Sequence, residues 1–393
     1  MTRYAILYDV SATSSQRRDG TAQHRDPPQP ELRFDDLSAD DVADLRRDPT
    51  ARAMAPAMLT SLIEPVTTVA GGHIPAPAPV AWGVEAVDAV RERLTGQGVR
   101  VAVLDTGIEA NHRAFAGVSL AQADFSGDGL GDRHGHGTHC AGTVFGRDVS
   151  QRIGVARGIT HAWIGKVLDD RGRGDTTKLL DGLMWAFQAR VHIISMSVGI
   201  NFAKTVQQEM DAGLPLPFAT SSVLAAFGAN LRLFDALMAM FEANAPYGVS
   251  PLVVAAAGND SQRSVSPSLR MGASMPAAAE GVLAVGAVGR QGQYLGVADF
   301  SNTGVAVCAP GVDIVSASLG GGVATQSGTS MACPHVAGVA ALWCEALMQS
   351  GARVDASRLR YKLQTSADRQ KFVPGSHALD VGDGIVTAPN GRN

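Results

Sequence analysis

The segment VRVAVLDTGI, residues 99–108, decides the fold class of this chain. Its first six residues are apolar except for Arg100, and such a run is typical of a β-strand that is buried on both faces of a sheet. The strand ends at Asp105, and small residues form the turn that follows. Further runs of this character are HAWIGKVL (161–168), VHIISMSVG (191–199), PLVVAAAGN (251–259) and GVLAVGAV (281–288).

Helix candidates separate several of these strands. They are TTKLLDGLMWAFQAR (176–190), LRLFDALMAMFEANAP (231–246) and TSMACPHVAGVAALWCEALMQSG (329–351). Buried strands that alternate with helices predict an α/β fold, with a largely parallel β-sheet flanked by helices on both faces. In a sheet of this kind, ligands bind at the carboxyl ends of the strands.

The composition limits the partners that the chain can take. It has 393 residues, of which 45% are hydrophobic, and its formal net charge is −4. This length is sufficient for a large single core or two domains. Because the charge is small and negative, we expect no nucleic-acid or membrane-surface partner. We also expect no membrane span, which needs ~20 consecutive apolar residues.

The N-terminus and the cysteines bear on the compartment. MTRYAILYDV has too short an apolar run for a signal peptide, and no small-residue cleavage site follows it. Cys140, Cys308, Cys333 and Cys344 are expected to be buried free thiols. We therefore expect a cytoplasmic protein, and export by a route without a cleavable signal is the alternative.

Residues 1–75 differ in character from the rest. A strand is predicted at Tyr4–Tyr8, and a helix is predicted after Ser38, whose side chain would cap it. TSLIEPVTTVA (60–70) is expected to be extended, and GGHIPAPAPVAW (71–82) has the alternating prolines of an extended linker. The sequence thus predicts a small N-terminal α+β segment over residues 1–75 and a main domain over residues 76–393.

Residues 200–230 interrupt the alternation of strands and helices. They combine apolar residues at roughly helical spacing with a patch of proline, leucine and phenylalanine. We predict an elaborated surface loop with a small core of its own. A flap over a binding cleft is the alternative.

Four chemically useful side chains follow strands or begin helices. Asp105 and Asn259 each end a strand, a histidine lies in HGHGTH (134–139), and Ser330 begins a long apolar helix. Each residue alone has an ordinary structural explanation as a turn or cap residue. Together, at one edge of a parallel sheet, they supply a nucleophile, its base, the group that orients the base and a side-chain donor for an oxyanion.

Five motifs also resemble those of a known protein family. They are VAVLDTGI, HGTHCAGT, SMSVG, VVAAAGN and GTSMACPHVAG, and they occur in this order between residues 80 and 388. The sequence resembles the subtilisin-like serine proteases of the subtilase family, whose catalytic residues also come in the order Asp, His, Ser. The resemblance implies the α/β fold already predicted and a serine endopeptidase that works through an acyl-enzyme.

The resemblance also assigns roles to individual residues. Ser330 would be the nucleophile, His136 the general base and then acid, and Asp105 the residue that orients His136. Asn259 and the backbone N–H of Ser330 would form the oxyanion hole.

The substrate would bind as an added strand between two segments of the cleft. Further residues would line the pocket for the side chain before the cut bond, which is expected to be uncharged. The residues that the resemblance places in the cleft and pocket are Gly172, Arg173, Gly174, Ser197, Val198, Gly199, Pro276 and Ala277. Arg173 takes the place of a small residue, which suggests a preference for acidic residues further along the substrate.

The N-terminal segment and the metal content depart from the family pattern or leave alternatives. Residues 1–75 occupy the position of an inhibitory propeptide but are shortened in the middle compared with the family. The chain is a candidate zymogen that self-cleavage in the linker would activate, and a segment that stays attached is the alternative. No cofactor is expected to be required. A structural calcium is possible, but its usual site is expected to be absent because Ala114 stands where many relatives have an aspartate.

An acidic loop and a histidine cluster leave other functions open. Asp124, Asp128 and Asp132 are predicted to form a solvated acidic loop; a cation site or a lining of the cleft are the alternatives. A metal-dependent hydrolase would use ligands from a separate cluster, namely His134, His136, His139 and Cys140. A catalytically silent scaffold that only binds peptides is the remaining rival. The endopeptidase alone accounts for both Ser330 and Asn259.

Overall fold

The computed structural model describes residues 1–11, 27–66, 78–90, 93–248 and 250–389. Most of the linker predicted over residues 71–82, where self-cleavage was expected, lies outside the described residues.

The N-terminal part forms a small sheet of its own. The elements of this part are β1 (Thr2–Asp9), β2 (Pro30–Leu37), α1 (Ala39–Leu45), β3 (Ala51–Pro56) and β4 (Leu59–Leu62), of which β4 lies outside the small sheet. Strand β1 lies between β2 and β3 and is antiparallel to both. Ser38 caps α1 as predicted: its hydroxyl accepts a hydrogen bond from the backbone N–H of Asp41, whose carboxylate accepts one in return from the Ser38 N–H.

The elements of the main domain run from the short helix α2 to the C-terminus. The first are α2 (Trp82–Ala86), β5 (Arg100–Asp105), β6 (Ser119–Asp124), α3 (His136–Phe145), β7 (His161–Lys166), β8 (Arg173–Asp175), α4 (Thr176–Gln188), β9 (Ile193–Met196), β10 (Val198–Gly199), α5 (Phe202–Asp211) and α6 (Leu216–Ala243). Those that follow are β11 (Leu252–Ala256), β12 (Val282–Gln291), β13 (Tyr294–Val297), β14 (Val307–Pro310), β15 (Ile314–Ser318), β16 (Gly322–Gln326), α7 (Thr329–Gln349), α8 (Ala356–Thr365) and α9 (Ala378–Val381).

The central sheet has the order β13-β12-β11-β9-β5-β7-β6, and β14 also pairs with β12. All of these pairings are parallel except that of β12 with β13. Strand β5 lies between β7 and β9, so the chain builds the sheet outward from β5 in both directions. Asp105 therefore ends the strand at the topological switch point, where α/β sheets bind their ligands.

Helices cover both faces of this sheet. Helices α3 and α7 pack on one face, and α4 and α6 pack on the other. Within each face the core consists of apolar side chains that are almost completely buried, as a strand covered on both sides requires. The predicted α/β fold with a largely parallel sheet is confirmed.

The prediction of a surface loop over residues 200–230 is wrong. These residues form α5 and the first half of α6. Helix α6 has 28 residues, and its second half is the helix that was predicted to begin at residue 231. The buried side of α6 carries Val223, Phe234 and Leu237, and the helix packs against β3. Asn230 donates a hydrogen bond of 2.8 Å to the carbonyl oxygen of Pro56. Packing against the N-terminal sheet thus accounts for a continuous helix here.

The expectation that no segment could span a membrane also needs correction. Helices α6 and α7 are both long and apolar enough to do so by length and composition. However, 83% of the apolar window of α7 is buried inside the fold, which shows that its apolar residues serve the core.

Candidate active site

The fold brings Asp105 and His136 into direct contact. Nδ1 of His136 lies 2.8 Å from Oδ1 of Asp105, and each side chain is about 1% exposed or less. The carboxylate also accepts a hydrogen bond from the N–H of Thr106. This arrangement fixes the ring orientation of His136 and leaves its Nε2 atom for chemistry.

Two glycines allow His136 to approach Asp105. Gly135 has a φ of 95°, in the left-handed region, and it lets the chain turn directly into α3. A Cβ atom on Gly137 would lie 2.2 Å from the carbonyl oxygen of Gly107, so only glycine permits the first turn of α3 to touch the turn after β5. The glycines on both sides of His136 are therefore required for packing as well as for the position of the catalytic candidate.

A buried aspartate joins the same two segments. Asp132 accepts hydrogen bonds from the Thr106 hydroxyl, the Gly135 N–H and both the N–H and the hydroxyl of Thr138. The prediction of one solvated acidic loop is therefore wrong for Asp132, which is buried because these donors satisfy it.

The other two aspartates of that segment have separate partners. Asp124 accepts bonds from Ser126 and Gly129, and Asp128 accepts one from the N–H of Asp170.

Lys166 is a supporting residue that sequence reasoning missed. It ends β7, is almost fully buried, and donates from Nζ to the Thr106 carbonyl oxygen at 2.8 Å and to Asp170 Oδ1 at 2.7 Å. A buried ammonium group needs such partners. The only sequence signal was a lone lysine at the end of an apolar strand, which indicates no function by itself.

Ser330 and Asn259 face a peptide segment from the N-terminal part of the same chain. The hydroxyl of Ser330 donates a 2.9 Å hydrogen bond to the carbonyl oxygen of Ile63, and Nδ2 of Asn259 donates a 2.8 Å bond to that of Glu64. The amide of Asn259 is held because its Oδ1 accepts bonds from the N–H and the hydroxyl of Thr329.

Strand β4 lies in the predicted cleft as an added strand. On one side Leu62 pairs with Val198 and Ser61 with Gly199; on the other side β4 pairs with β8. Both pairings are antiparallel. Two further bonds extend them: the Leu62 N–H donates to the Gly172 carbonyl at 2.8 Å and the Ile63 N–H to the Ser197 carbonyl at 3.4 Å. Strand β4 thus pairs with the two segments that the sequence analysis assigned to the sides of the cleft.

Glycines in the cleft make room for the side chains of this segment. A Cβ atom on Gly172 would lie 3.1 Å from Cβ of Leu62, and one on Gly174 would lie 2.9 Å from the Thr60 hydroxyl. A Cβ atom on Gly199 would lie 3.1 Å from Cγ1 of Ile63. Thr60 and Leu62 are accordingly buried in the cleft.

The pocket that holds Ile63 differs in detail from the sequence prediction. The Ser274 hydroxyl would be as close to a Cβ atom on Gly199 as Ile63 is, and Ser274 lines the cavity around Ile63 and Glu64. Pro276 and Ala277 are both buried just beyond Ser274. Ser274, which the sequence analysis did not single out, thus lies beside Ile63 together with Gly199.

The histidine cluster does not come together around one point. Nε2 of His139 lies 3.1 Å from the carbonyl oxygen of Ile314, and burial lowers the pKa of His139 to about 3. Within the described residues, the side chains close enough to share a metal ion are Asp105, His136 and Cys140. The four-ligand set predicted for a metal-dependent hydrolase is therefore not assembled.

Cys140 lies beside the catalytic candidates. Its sulfur is 3.7 Å from Nδ1 of His136, and burial raises the pKa of the thiol well above its usual value. All four cysteines are free and buried, as predicted. Ala114 is buried in a 3₁₀ turn, where it offers no carboxylate to a cation.

Comparison with known proteins identifies the family of this chain. Residues 96–384 match the subtilase family. Because the match covers more than half of the chain, the protein belongs to that family.

Individual relatives can be compared with it. The chain is 35% identical over 273 residues to a thermostable alkaline protease of Halalkalibacterium halodurans, a match of 67% of this chain and 62% of the relative. It is 33% identical over 316 residues to M-protease of Shouchella clausii (78% and 67%). Over 269 residues it is 34% identical to subtilisin BL of Lederbergia lenta (67% and 83%). The match thus spans about three fifths of the first relative's length.

Proposed function

We propose that this chain is a serine endopeptidase that is made in a latent form and held inactive by its own N-terminal segment. The observation that carries the proposal is the hydrogen bond from the Ser330 hydroxyl to the Ile63 carbonyl oxygen, in a strand that pairs on both sides with the cleft. The names of the relatives, which are alkaline proteases and subtilisins, support the same activity.

In the proposed reaction the same residues act in both halves of the cycle, acylation and deacylation. His136 takes the hydroxyl proton of Ser330 through Nε2 as the oxygen attacks the substrate carbonyl carbon, and Asp105 stabilises the imidazolium that forms. Asn259 and the Ser330 N–H stabilise the oxyanion. His136 then gives the proton to the leaving amine. In the second half of the cycle His136 takes a proton from a water molecule, which attacks the acyl-enzyme, and His136 returns that proton to Ser330.

The bound segment indicates which bond is presented to Ser330. The carbonyl oxygen of Ile63 accepts the bond from Ser330, whereas Asn259 bonds to the next carbonyl, that of Glu64. Because the nucleophile contacts the Ile63 carbonyl, we take the peptide bond between Ile63 and Glu64 as the one that attack would break. Asn259 would then have to move from the Glu64 carbonyl to that of Ile63 to stabilise the oxyanion. We infer that this bond is the self-cleavage site, instead of a bond in the proline-rich linker further along the chain. The segment up to Ile63 would then remain in the cleft as a product that inhibits until it dissociates.

The proposal is tested by the N-terminus of the purified protein. On incubation, the wild type is expected to gain a new N-terminus at Glu64, and Ser330→Ala is expected to stay intact. Labelling of Ser330 by a fluorophosphonate, repeated with a chelator, separates the rivals. Labelling that survives the chelator supports the serine enzyme. An intact wild-type chain that is neither labelled nor able to cut peptides would show a silent scaffold.

A further inference from the structure

A cavity of about 420 Å³ lies beside the bound strand on the side of the helical insertion. Leu59 and Ser61 of β4 line it together with Arg173 of β8, Lys178 of α4, and Lys204 and Gln208 of α5. Ser61 and Lys204 also line the neighbouring cavity of about 320 Å³ around Ile63. The insertion therefore provides one wall of the cleft.

The side chains of β4 alternate between the cleft floor and this cavity. Thr60 and Leu62 are buried, whereas Leu59 is exposed and Ser61 is partly exposed. This is the two-residue period of a strand. Counted back from the bond after Ile63, the cavity receives the third residue, Ser61, and the fifth residue, Leu59.

The cationic side chains that line the cavity differ in whether they have a carboxylate partner. Arg173 forms an ion pair with Asp169 at 3.0 Å, and Lys178 lies 3.8 Å from Asp175. In the described part of the chain, Lys204 forms no ion pair within 4.0 Å. The charge left over in this cavity is thus the ammonium group of Lys204. Arg173, the residue that the sequence suggested for this role, already has a carboxylate partner.

The backbone at Lys204 is firmly placed. Oδ1 of Asn201 accepts a 2.9 Å bond from the Lys204 N–H and so caps α5, and Nδ2 of Asn201 donates to Asp260. A cation in the first turn of a helix is disfavoured by the helix dipole. The helix dipole therefore does not account for a lysine at this position.

We propose that Lys204 selects an acidic side chain at the third residue before the cut bond. This inference rests on the proposed endopeptidase and names its substrate class: peptides with aspartate or glutamate two residues before the side chain that enters the pocket at Gly199. The chain's own segment has Ser61 there, which makes it a weaker occupant than such a substrate.

The test uses peptides that copy residues 59–66 with Asp, Ser or Lys at the position of Ser61, cut by the full chain after incubation. For the wild type we expect kcat/KM for the Asp peptide to exceed that for the Lys peptide by about 10-fold, since an exposed ion pair gives a factor of a few and the like charge a similar loss. The ratio should fall towards one in 1 M salt.

Two variants with the same change of net charge separate a local contact from the general field. Lys204→Gln should lower the Asp-to-Lys ratio about 10-fold, to near one. Ala203→Glu, on the same helix but outside the cavity, should change it less than about 2-fold. In the intact chain, Ser61→Asp should lengthen the latent period and Ser61→Lys should shorten it.

Three results would overturn the proposal. Equal cleavage of the three peptides by an active wild type refutes the selection by Lys204 and leaves the endopeptidase intact. An equal effect of Lys204→Gln and Ala203→Glu refutes the specific contact. Failure to cut any peptide, with Ser330 unreactive to fluorophosphonate, refutes the endopeptidase and this inference with it.

Discussion

The hydroxyl of Ser330 lies 2.9 Å from the carbonyl oxygen of Ile63, a residue 267 positions earlier in the same chain. The group proposed to attack substrates is therefore hydrogen-bonded to its own polypeptide. Because Leu62 and Thr60 are buried beside Ile63 and both edges of β4 are paired, the segment is held by the same contacts that a substrate strand would use.

Weakening this segment should shorten the latent period. Leu62 is 3% exposed, so Leu62→Asn loses a burial of roughly 2–3 kcal/mol and leaves a polar group in an apolar pocket. We expect the lag before peptide cleavage to shorten by roughly 30-fold to 150-fold, measured with a fluorogenic peptide after dilution of freshly purified protein.

The matched control is Leu59→Asn on the same strand. Leu59 is 61% exposed, so this variant should keep a lag close to that of the wild type. Equal lags for the two variants and the wild type would contradict a latency that depends on β4.

Substitution of Asn259 distinguishes a role in catalysis from a role in stabilising the start of α7. Its Nδ2 points into the cleft, and its Oδ1 holds Thr329 at the start of α7. Asn259→Asp keeps the acceptor but loses the donor. We expect kcat to fall about 10²-fold to 10³-fold with a small change in KM, because the donor acts on the oxyanion of the transition state.

The stability of Asn259→Asp is its control. Its thermal midpoint should stay near that of the wild type, and Asn259→Ala, which also loses the acceptor, should unfold at a lower temperature. A loss of kcat that merely follows the loss of stability across both variants would argue against an oxyanion donor.

Gly199 should set the size of the side chain before the cut bond. A Cβ atom there would lie 3.1 Å from Cγ1 of Ile63, which is tight for two carbon atoms, while nothing in its backbone conformation requires glycine. Gly199→Ala should therefore lower kcat/KM for peptides with isoleucine at this position about 10-fold and spare those with alanine. A uniform loss for both peptides would show damage to the strand pairing and not a narrowed pocket.

The fold and the candidate catalytic residues were predictable because both depend on local signals. An apolar run that ends in Asp105 marks a buried parallel strand and also names the edge where chemistry occurs. The glycines around His136 lie within the motif itself. For such features the sequence neighbours of a residue are also its structural neighbours, or follow directly from the sheet.

The occupant of the cleft and the shape of the insertion depend on distant contacts. TSLIEP (60–65) was predicted to be extended, but an extended conformation does not indicate which strands it pairs with. The partners of β4 are more than 100 residues away in the sequence. Helix α6 continues through residue 230 where it packs against β3, a surface that cannot be read from its own residues. Lys166 and Asp132 were missed or misread because buried charges are identified only by their partners.

Two buried histidines should make the protein sensitive to mild acid. Burial lowers the pKa of His139 to about 3 and that of His335 to about 4, both below the ordinary value near 6.5. Between these values the unfolded chain binds more protons than the folded chain, so the free energy of unfolding falls as the pH drops from about 6.5 towards 4. Above pH 6.5 neither residue contributes to the pH dependence.

The effect is measurable by urea unfolding of the Ser330→Ala protein between pH 7 and pH 4.5, where self-cleavage does not interfere. Each histidine should contribute a slope of roughly 1 kcal/mol per pH unit over the lower part of that range. His139→Gln keeps a donor for the Ile314 carbonyl but cannot bind a proton, so it should remove one histidine's share of the slope. His161→Gln, the same substitution at an exposed position, is the matched control. If His139→Gln and His161→Gln give the same slope, His139 does not titrate between the two states.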